Sequence, residues 1–520
     1  MNAGTLFESL FPPQRLAGVA VLYEGRQITY EELRSETVRA AEAFQTLGVS
    51  LGDRVGILLT DSPEFIASFV ALNSLGAIAV PINLALRKSD QLFILQDCGA
   101  RAAIIEASMA AELQPTDLHD ELQDLLVVRR EGEAVPPAVA GISAQAFDLA
   151  RCSPLADDFS VHGKEDADAF ILYTSGSTGE AKGAVHRQSD IFYTNETFCR
   201  QVLGLRTGDR LFSSSRLPFA YGLGNSFTFP LLNGLTTVLC REKPAPQVIS
   251  QIFQEYRPTI FFGVPVVYRM LLEHHRQVSP LDTASLRLCV SAGEALPAQL
   301  GEEWERTFGV EVLDGIGSTE MLHMFMSNQT GQVRYGSSGK LLSGYEARLV
   351  DHEGIPTPKG EVGNLWIRGD SASRRYWQRP ETTALTFVDG WVRTGDLYRC
   401  DADDYWWHMG RSDDCFKPTG QWVSPIEVEN VLIRSKGVRA CAVVEGFDKD
   451  GLSCVCAFVV PASDGRVGVE EELRALCEKD LPRFKRPRRY IFIPELPYTA
   501  TGKVQRFKLR EQLRGQKGGW

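Results

Sequence analysis

The most distinctive segment of the sequence is Tyr173-Thr174-Ser175-Gly176-Ser177-Thr178-Gly179-Glu180-Ala181-Lys182-Gly183. It follows the apolar run at residues 169–172, which is typical of a buried strand. Glycines and hydroxyls packed this densely allow backbone N–H groups to curl around an anion, and the lysine suits a polyphosphate. The segment differs from the loop of P-loop NTPases, because Gly183 stands where that motif requires serine or threonine. A flexible Gly/Ser loop would explain the glycines and serines, but not the strand in front or the lysine at the end.

Alternating helix and strand patterns extend outward from this loop. Residues 29–47 carry apolar side chains at helical spacing, and residues 54–59 form a short β-like run. Asp61-Ser62-Pro63-Glu64 then supplies a helix cap, a first-turn proline and an early acid. The alternation resumes beyond Ala169 and continues to about residue 330. This spacing indicates parallel sheets covered by helices, so we predict an α/β fold of two doubly wound layers with sites at the carboxyl ends of strands.

The pattern changes in the last third of the chain. From about Gly336, short strands alternate with glycines and prolines, which predicts a small β-rich subdomain over residues 336–410. Residues 411–520 carry 20 Lys+Arg against 15 Asp+Glu, although the whole chain has a net charge of −11. This contrast in charge predicts a separate lobe that could meet an anionic ligand.

The composition excludes several classes of function. The chain has 520 residues, too many for one hydrophobic core, and its acidic balance disfavours a nucleic-acid partner. Its apolar runs are shorter than the roughly 20 residues of a membrane span, and its first residues do not resemble a secretory signal. The eleven cysteines are scattered, and the eight histidines lack metal-ligand spacing. The sequence thus predicts a multidomain cytoplasmic enzyme with neither a membrane nor a nucleic-acid partner.

The motifs, taken together, identify a family. Residues 174–182 resemble the phosphate-binding loop of the adenylate-forming superfamily, which comprises acyl- and aryl-CoA ligases, luciferases and peptide-synthetase adenylation domains. Further segments match that family's motifs in the same order: Gly315-Ile316-Gly317-Ser318-Thr319-Glu320, Tyr376-Trp377-Gln378-Arg379-Pro380-Glu381, Trp391-Val392-Arg393-Thr394-Gly395-Asp396-Leu397, Gly410-Arg411-Ser412-Asp413-Asp414, Pro425-Ile426-Glu427-Val428-Glu429 and Thr501-Gly502-Lys503-Val504-Gln505-Arg506. The resemblance covers nearly the whole chain. It implies a large N-terminal domain, residues 1–410, and a small mobile α+β C-terminal domain, residues 411–520.

The resemblance also implies a chemistry, in which a carboxylate attacks the α-phosphate of ATP, pyrophosphate leaves, and CoA then takes the acyl group. Because two anions meet, the site must supply positive charge and a divalent cation. Lys503 is implied to bridge the carboxylate and the α-phosphate, Thr319 to bind the α-phosphate, and Glu320 to bind Mg²⁺. Lys417 is implied to move inward for thioester formation, with Asp413 as the hinge. The implied ATP- and AMP-binding residues are Thr174, Ser175, Gly176, Ser177, Thr178, Gly179, Lys182, Ser291, Ala292, Gly293, Glu294, Asp314, Gly315, Ile316, Gly317, Ser318, Asp396 and Arg411. Among them, the segment at residues 291–295 is implied to line the adenine, and Asp396 and Arg411 are implied to bind the ribose.

The segments that this family uses for its acyl pocket look most like those of benzoate–CoA ligases, and an anthranilate–CoA ligase would be a close relative in character. The implied pocket residues are Phe219, Ala220, Tyr221, Gly222, Val264, Pro265, Gly317 and His323. Glycines 222, 293, 315 and 317 beside Tyr221 could leave a flat slot for one ring. His323 is either a hydrogen-bond partner for a ring substituent or a packed histidine, and the sequence does not choose between benzoate and 2-aminobenzoate.

Several functions remain open at this stage. The first is an aryl-CoA ligase that uses ATP with Mg²⁺ and coenzyme A. The second is a stand-alone adenylation enzyme that loads a carrier protein. A non-catalytic adenylate-binding module is disfavoured by the presence of Lys503, Glu320 and Asp396, and a luciferase-type oxygenase is remote. The basic residues 483–489 either bind CoA phosphates or form a solvated edge. We expect a monomer or a homodimer.

Overall fold

The computed structural model describes residues 5–114, 117, 121–129, 135, 138–147, 162–164, 166–175, 181–416, 418, 423–448, 452–462, 468–498 and 504–515. Its helices are α1 (Leu6–Leu10), α2 (Tyr30–Thr46), α3 (Pro63–Leu75), α4 (Lys88–Asp97), α5 (Ala107–Ala110), α6 (Gln188–Thr194), α7 (Arg200–Val202), α8 (Ala220–Leu223), α9 (Phe229–Leu232), α10 (Pro246–Tyr256), α11 (Pro265–Gln277), α12 (Ala298–Phe308), α13 (Pro380–Thr386), α14 (Pro425–Leu432), α15 (Val469–Asp480) and α16 (Arg506–Gly515). Two π-helical turns, Asn195–Cys199 and Gly224–Thr228, join α6 to α7 and α8 to α9.

The strands fall into four sheets. They are β1 (Val19–Tyr23), β2 (Arg26–Thr29), β3 (Arg54–Leu58), β4 (Ile78–Pro81), β5 (Ala102–Glu106), β6 (Asp124–Val128), β7 (Ala138–Val139), β8 (Ile142–Phe147), β9 (Asp168–Ser175), β10 (Ala181–Arg187), β11 (Arg210–Ser213), β12 (Thr236–Val238), β13 (Ile260–Gly263), β14 (Leu288–Ser291), β15 (Val312–Gly317), β16 (Met324–Ser327), β17 (Lys340–Leu341), β18 (Glu346–Val350), β19 (Val362–Arg368), β20 (Phe387–Val388), β21 (Trp391–Cys400), β22 (Trp406–Arg411), β23 (Val438–Phe447), β24 (Ser453–Pro461) and β25 (Arg489–Phe492).

Two large sheets form the N-terminal part of the molecule. The eight-stranded sheet has the order β10-β9-β4-β3-β5-β6-β8-β7, and the nine-stranded sheet has the order β17-β16-β15-β14-β13-β11-β12-β1-β2. The inner strands of both are parallel, while β7, β10, β2, β16 and β17 pair antiparallel at the edges. The predicted α/β fold with two parallel layers is therefore confirmed, and the antiparallel edges are additions that the sequence pattern did not indicate.

Helix α3 lies in the core between the two sheets. All of its side chains except Glu64 are buried, and the same hydrophobic cluster contains Ile57 of β3 and Val21 of β1. The Ser62 side chain caps this helix by accepting a hydrogen bond from Phe65 N at 3.4 Å, with Pro63 in the first turn. The predicted helix start is thus confirmed. A helix that is buried almost all round in this way belongs to the core of a large domain.

A five-stranded antiparallel sheet follows, built from β18, β19, β20, β21 and β22. The sequence placed the start of this β-rich unit near Gly336, but β17 pairs with β16 and extends the nine-stranded sheet instead. The five-stranded sheet begins at Glu346 and ends at Arg411. The domain boundary after residue 410 remains a prediction, and it coincides with the end of β22.

The C-terminal residues form an α+β unit with hydrophobic clusters of its own. Strands β23, β24 and β25 make a three-stranded sheet. Residues from α14 and α15 join one cluster, and Leu509 of α16 joins the other. Cys454 and Cys456 lie on β24 with their Sγ atoms 3.8 Å apart, in keeping with their spacing of two on a strand. No helix in the described ranges is long and apolar enough to cross a membrane.

Candidate active site

The predicted phosphate-binding loop joins the two strands of a hairpin. Strand β9 ends at Ser175, β10 begins at Ala181, and Thr174 pairs with Lys182 across the hairpin. Residues 176–180, which include the predicted Gly176, Ser177, Thr178 and Gly179, lie outside the described residues. The Lys182 ammonium lies 5.7 Å from the centroid of the Tyr376 ring. The lysine that closes the motif is therefore placed beside a second motif of the family.

Thr319 and Glu320 occupy a tight loop between β15 and β16. A Cβ at Gly317 would approach the His323 carbonyl oxygen to 2.5 Å, so only glycine fits the loop there. Leu322 has a left-handed backbone with φ of 63° and a buried side chain. A bulky residue in this conformation is uncommon and is retained where surrounding structure imposes it.

Four hydrogen bonds from other elements hold this loop. Thr319 O accepts from His186 Nε2 at 2.8 Å, and Met321 O accepts from Ser371 Oγ at 2.9 Å. Glu320 is held twice, because its carbonyl oxygen accepts from Ser373 N at 2.7 Å and its Oε1 accepts from Tyr376 Oη at 2.6 Å. The predicted catalytic pair is thus fixed from the phosphate-loop hairpin on one side and from residues 371–376 on the other.

His186 is a site residue that sequence reasoning missed. Its ring is fully buried and stacks on Phe170, with centroids 5.3 Å apart. Nδ1 lies 2.9 Å from Asp190 Oδ2, and Nε2 lies 2.8 Å from Thr319 O. Nε2 therefore donates to the Thr319 carbonyl oxygen, while Nδ1 contacts a carboxylate that Arg187 Nε also binds at 2.9 Å. A single histidine at the end of a strand has no sequence pattern that could have revealed this role.

The two residues predicted to bind ribose are brought together. Asp396 on β21 is the register partner of Arg411 on β22, and Arg411 Nη1 lies 3.3 Å from Asp396 Oδ1. His408 Nε2 lies 3.5 Å from the same oxygen. Gly395 has a φ of 74°, and a Cβ there would meet the Arg411 guanidinium at 2.7 Å. The carboxylate can accept hydrogen bonds from a diol, and the guanidinium beside it can donate to the same diol.

The predicted adenine segment follows β14, and Asp314 lies beneath it. Ser291 and Asp314 are register partners on β14 and β15, and Asp314 Oδ2 accepts from Leu296 N at 3.2 Å. The Asp314 carboxyl is fully buried, and this burial raises its pKa to about 8. The backbone carbonyl oxygen of Asp314 accepts a hydrogen bond from Asn328 N at 2.9 Å. Asp314 therefore supports the segment at residues 291–296 from inside the protein, as a neutral acid at neutral pH.

The predicted aryl pocket contains an aromatic cluster around His323. The ring centroid of His323 lies 4.7 Å from that of Phe198, 4.6 Å from Phe229 and 5.5 Å from Tyr221. Its Nε2 bonds Asn225 Oδ1 at 3.2 Å, and within the described residues Nδ1 has no partner. Burial lowers the pKa of His323 to about 3, so the ring is neutral. His323 is therefore packed and hydrogen-bonded within the protein through Nε2, and among the described residues its Nδ1 has no hydrogen-bond partner.

The glycine slot expected from the sequence is mostly wrong. A Cβ at Gly222 would meet Arg216 O at 2.0 Å, and one at Gly315 would meet Met326 O at 2.4 Å. With the contact already described at Gly317, three of the four glycines make room for the protein's own backbone. Only Gly293, with a φ of 92°, has just one neighbour, Val264 Cγ1 at 3.6 Å. Other predicted pocket residues lie at the starts of two helices. Phe219 is at the N-cap position of α8, which begins with Ala220 and Tyr221. Val264 is at the N-cap position of α11, which begins with Pro265.

The two last motifs of the sequence meet in the C-terminal unit. Arg506 Nη2 lies 2.8 Å from Glu429 Oε2, and Arg510 Nη1 lies 2.9 Å from Asp414. Asp413, the predicted hinge, lies in the turn just before this contact, and Arg411 Nη2 is 4.0 Å from it. The predicted catalytic residues Lys417 and Lys503 lie outside the described residues. Of the basic run at 483–489, Lys485 is paired with Glu427 at 2.6 Å and Arg488 with Asp448 at 2.9 Å.

The donor set at Glu320 fits a magnesium ion that arrives with a nucleotide. Among the residues that the structure describes, no group of three or more His, Cys, Asp or Glu side chains could hold a metal. Mg²⁺ is commonly bound through one or two carboxylates together with water and substrate phosphates. Glu320 is a single carboxylate bonded to Tyr376, whose ring lies against Lys182 of the phosphate-loop hairpin, and it meets that requirement.

Comparison with known proteins agrees with this geometry. The family model described as "AMP-binding enzyme" matches residues 12–377, and "AMP-binding enzyme C-terminal domain" matches residues 427–503. A benzoate–CoA ligase of Thauera aromatica is 40% identical over 93% of this chain and 90% of its own. A 3-hydroxybenzoate–CoA ligase of Aromatoleum is 35% identical over 99% and 97%. The crystal structure of an anthranilate–CoA ligase in complex with anthranoyl-AMP superposes with a TM-score of 0.90, at 37% identity, covering 98% of this chain and 97% of that one.

Proposed function

Because this chain belongs to the AMP-binding enzyme family, we propose that it joins a single-ring aryl carboxylate to coenzyme A in an ATP-dependent, AMP-forming reaction. One observation carries the proposal more than any other. Lys182, Glu320 and Tyr376, from three separate motifs, lie together: the Lys182 ammonium is 5.7 Å from the centroid of the Tyr376 ring, and Glu320 Oε1 accepts a hydrogen bond from the Tyr376 hydroxyl at 2.6 Å. A cation and a carboxylate that could hold a divalent ion, placed this close together, suit a triphosphate.

The first half-reaction forms an aryl adenylate. A carboxylate oxygen of the acid attacks the α-phosphorus of ATP, the bond to the β-phosphate oxygen breaks, and pyrophosphate leaves. Lys182 would bind the outer phosphates, Thr319 the α-phosphate, and Asp396 with Arg411 the ribose. Magnesium, held by Glu320, would neutralise charge on the phosphates. Lys503 would bridge the two reacting anions, so that their repulsion is offset where they meet.

The second half-reaction transfers the aryl group to a thiol. The thiolate of CoA attacks the carbonyl carbon of the adenylate, a thioester forms, and AMP leaves. We propose that the C-terminal unit, residues 411–520, turns about Asp413 between the two steps, which exchanges Lys503 for Lys417 at the site. The relatives compared are named as CoA ligases, which favours CoA over a carrier protein as the acceptor.

The aryl acid is proposed from two lines of support. The compared ligases are named for benzoate, 3-hydroxybenzoate and anthranilate, all of them single-ring acids. The neutral His323 and the aromatic side chains of Tyr221, Phe198 and Phe229 form an apolar cluster next to the catalytic loop. Benzoate and 2-aminobenzoate are the foremost substrates in this proposal. An ortho amino group bonds internally to the carboxylate, so it mainly needs space.

Carboxylate-dependent exchange of labelled pyrophosphate into ATP tests the proposal. Over a panel of acids, benzoate and 2-aminobenzoate should exceed acetate by at least about tenfold in kcat/KM, since burying one ring removes on the order of 150 Å² from water. Thioester formation is then measured with CoA and with a carrier protein. Efficient use of decanoate would contradict the aryl specificity, and transfer to a carrier protein but not to CoA would contradict the acceptor.

A further inference from the structure

The Tyr376 hydroxyl donates a short hydrogen bond to the carboxylate of the proposed metal ligand. Tyr376 Oη lies 2.6 Å from Glu320 Oε1, and the tyrosine is only 6% exposed. The bond engages one of the two carboxylate oxygens, so Oε2 is not part of it. A hydroxyl is a neutral donor, and the negative charge that a cation requires therefore stays on Glu320.

The backbone of Tyr376 is attached to the phosphate-loop hairpin. Tyr376 forms a β-bridge with Ala184, and Trp377 N donates to Gly183 O at 2.7 Å. The Tyr376 ring packs edge-on against Phe387, with centroids 5.3 Å apart, and its face meets Lys182. One side chain thus connects the strand that carries the phosphate-binding lysine to the loop that carries Glu320.

We propose that Tyr376 is a positioning residue for Glu320, whose hydroxyl holds one carboxylate oxygen so that the other is ready for the divalent cation that accompanies ATP. The inference rests on the proposed function. A free glutamate side chain rotates about three bonds, and the Lys182 ammonium at the face of the Tyr376 ring is a cation with which it could pair. A neutral donor that fixes the carboxylate prevents both losses, because it orders the side chain without cancelling its charge. Partners that orient a metal ligand in this way typically raise metal affinity or activity about 10- to 100-fold.

Tyr376→Phe is the variant that tests the inference, because it keeps the ring contacts with Phe387 and Lys182 and removes only the hydroxyl. Tyr335→Phe is the matched control, since Tyr335 Oη also donates to a glutamate, Glu305 Oε2, at 2.8 Å on helix α12. Binding of Mn²⁺ in the presence of ATP is followed by electron paramagnetic resonance, and binding of ATP alone is measured in EDTA. Tyr376→Phe should weaken Mn²⁺ binding to the ATP complex about 10- to 100-fold and leave metal-free ATP binding unchanged. Tyr335→Phe should change neither quantity.

A double-mutant cycle separates positioning of Glu320 from a general effect on the fold. If Tyr376 acts through Glu320, Tyr376→Phe should cost nothing further in the Glu320→Gln background. The inference is overturned if the ATP complex of Tyr376→Phe binds Mn²⁺ like that of the wild type. It is also overturned if metal-free ATP binding falls as much as Mn²⁺ binding, or if the losses from Tyr376→Phe and Glu320→Gln are additive. If the wild type catalyses aryl-dependent pyrophosphate exchange but Tyr376→Phe is indistinguishable from it in Mn²⁺ binding, this inference alone is overturned. If the ATP complex of the wild type does not bind Mn²⁺, both this inference and the metal's part in the proposed function are overturned.

Discussion

Replacing Asp314 by asparagine should remove a specific loss of stability that the wild type suffers as the pH rises from about 4 to about 8. The Asp314 carboxyl is fully buried beneath the proposed adenine segment, where its Oδ2 accepts from Leu296 N at 3.2 Å. Burial raises its pKa to about 8. Asparagine keeps an acceptor oxygen for Leu296 and does not titrate, so it imitates the protonated acid and not the carboxylate.

The size and sign of the effect follow from the two pKa values. In the unfolded chain the aspartate loses its proton near pH 4, whereas in the folded protein it keeps the proton up to about pH 8. Between these values the folded state binds more protons, so the free energy of unfolding falls by about 1.4 kcal/mol for each pH unit. This contribution is fully present below about pH 4 and is lost as the pH rises through about 8. Across the whole window it amounts to roughly 5 to 6 kcal/mol.

Urea denaturation of the ligand-free protein at pH 5, 6, 7 and 8 measures the effect. The free energy of unfolding of Asp314→Asn, minus that of the wild type, should rise with pH throughout this range. Asp61→Asn is a useful comparison, because Asp61 is equally buried but burial raises its pKa only to about 6, so its difference should stop rising near that pH. A constant difference between Asp314→Asn and the wild type from pH 5 to pH 8 would refute the reasoning.

Three further predictions concern the site. Lys503→Ala should reduce pyrophosphate exchange by roughly a thousandfold while thioester formation from supplied aryl-adenylate persists, because one ammonium near an anion is worth about 4 kcal/mol; equal losses in the two assays would contradict its role. His186→Ala should lower the free energy of unfolding by about 1–3 kcal/mol and slow exchange, because it leaves Thr319 O without its donor and removes one of the partners of Asp190; wild-type denaturation and exchange would show that the contact is incidental. Gly224→Ala should cost about 1–3 kcal/mol of stability and raise KM for the aryl acid, because its Cβ would lie 2.6 Å from His323 Cδ2; an unchanged melting temperature and KM would mean that His323 shifts freely.

Features of the fold that depend on neighbouring residues in the chain could be predicted from the sequence. The capped start of α3 at Ser62 and the strand before the glycine-rich loop are local patterns, and both are found. The assignment of β17 could not be predicted, because a two-residue strand has no pattern of its own and its sheet is decided by its partner, β16. Edge strands of this kind are determined by tertiary pairing.

The same distinction applies to the site. The motif residues Thr319, Glu320, Asp396 and Arg411 could be named from a resemblance, and the structure brings them together in pairs. The contacts that hold them could not be named, because His186 lies 133 residues from Thr319 in the chain and Tyr376 lies 56 residues from Glu320. The slot attributed to the glycines failed for a related reason. A glycine in a sequence indicates that some atom approaches closely, but only the folded chain shows whether that atom belongs to the ligand or to the protein's own backbone.

The products of a single turnover in the absence of CoA show directly whether the protein forms an aryl adenylate. Protein in excess is mixed with ATP labelled at the α-phosphate, Mg²⁺ and benzoate or 2-aminobenzoate, and the quenched mixture is separated and analysed by mass. The proposal predicts labelled aryl-AMP and pyrophosphate in equal amounts, followed by conversion of the adenylate to aryl-CoA and labelled AMP when CoA is added. Formation of ADP and phosphate, or the absence of an aryl adenylate with every single-ring acid tried, would contradict it.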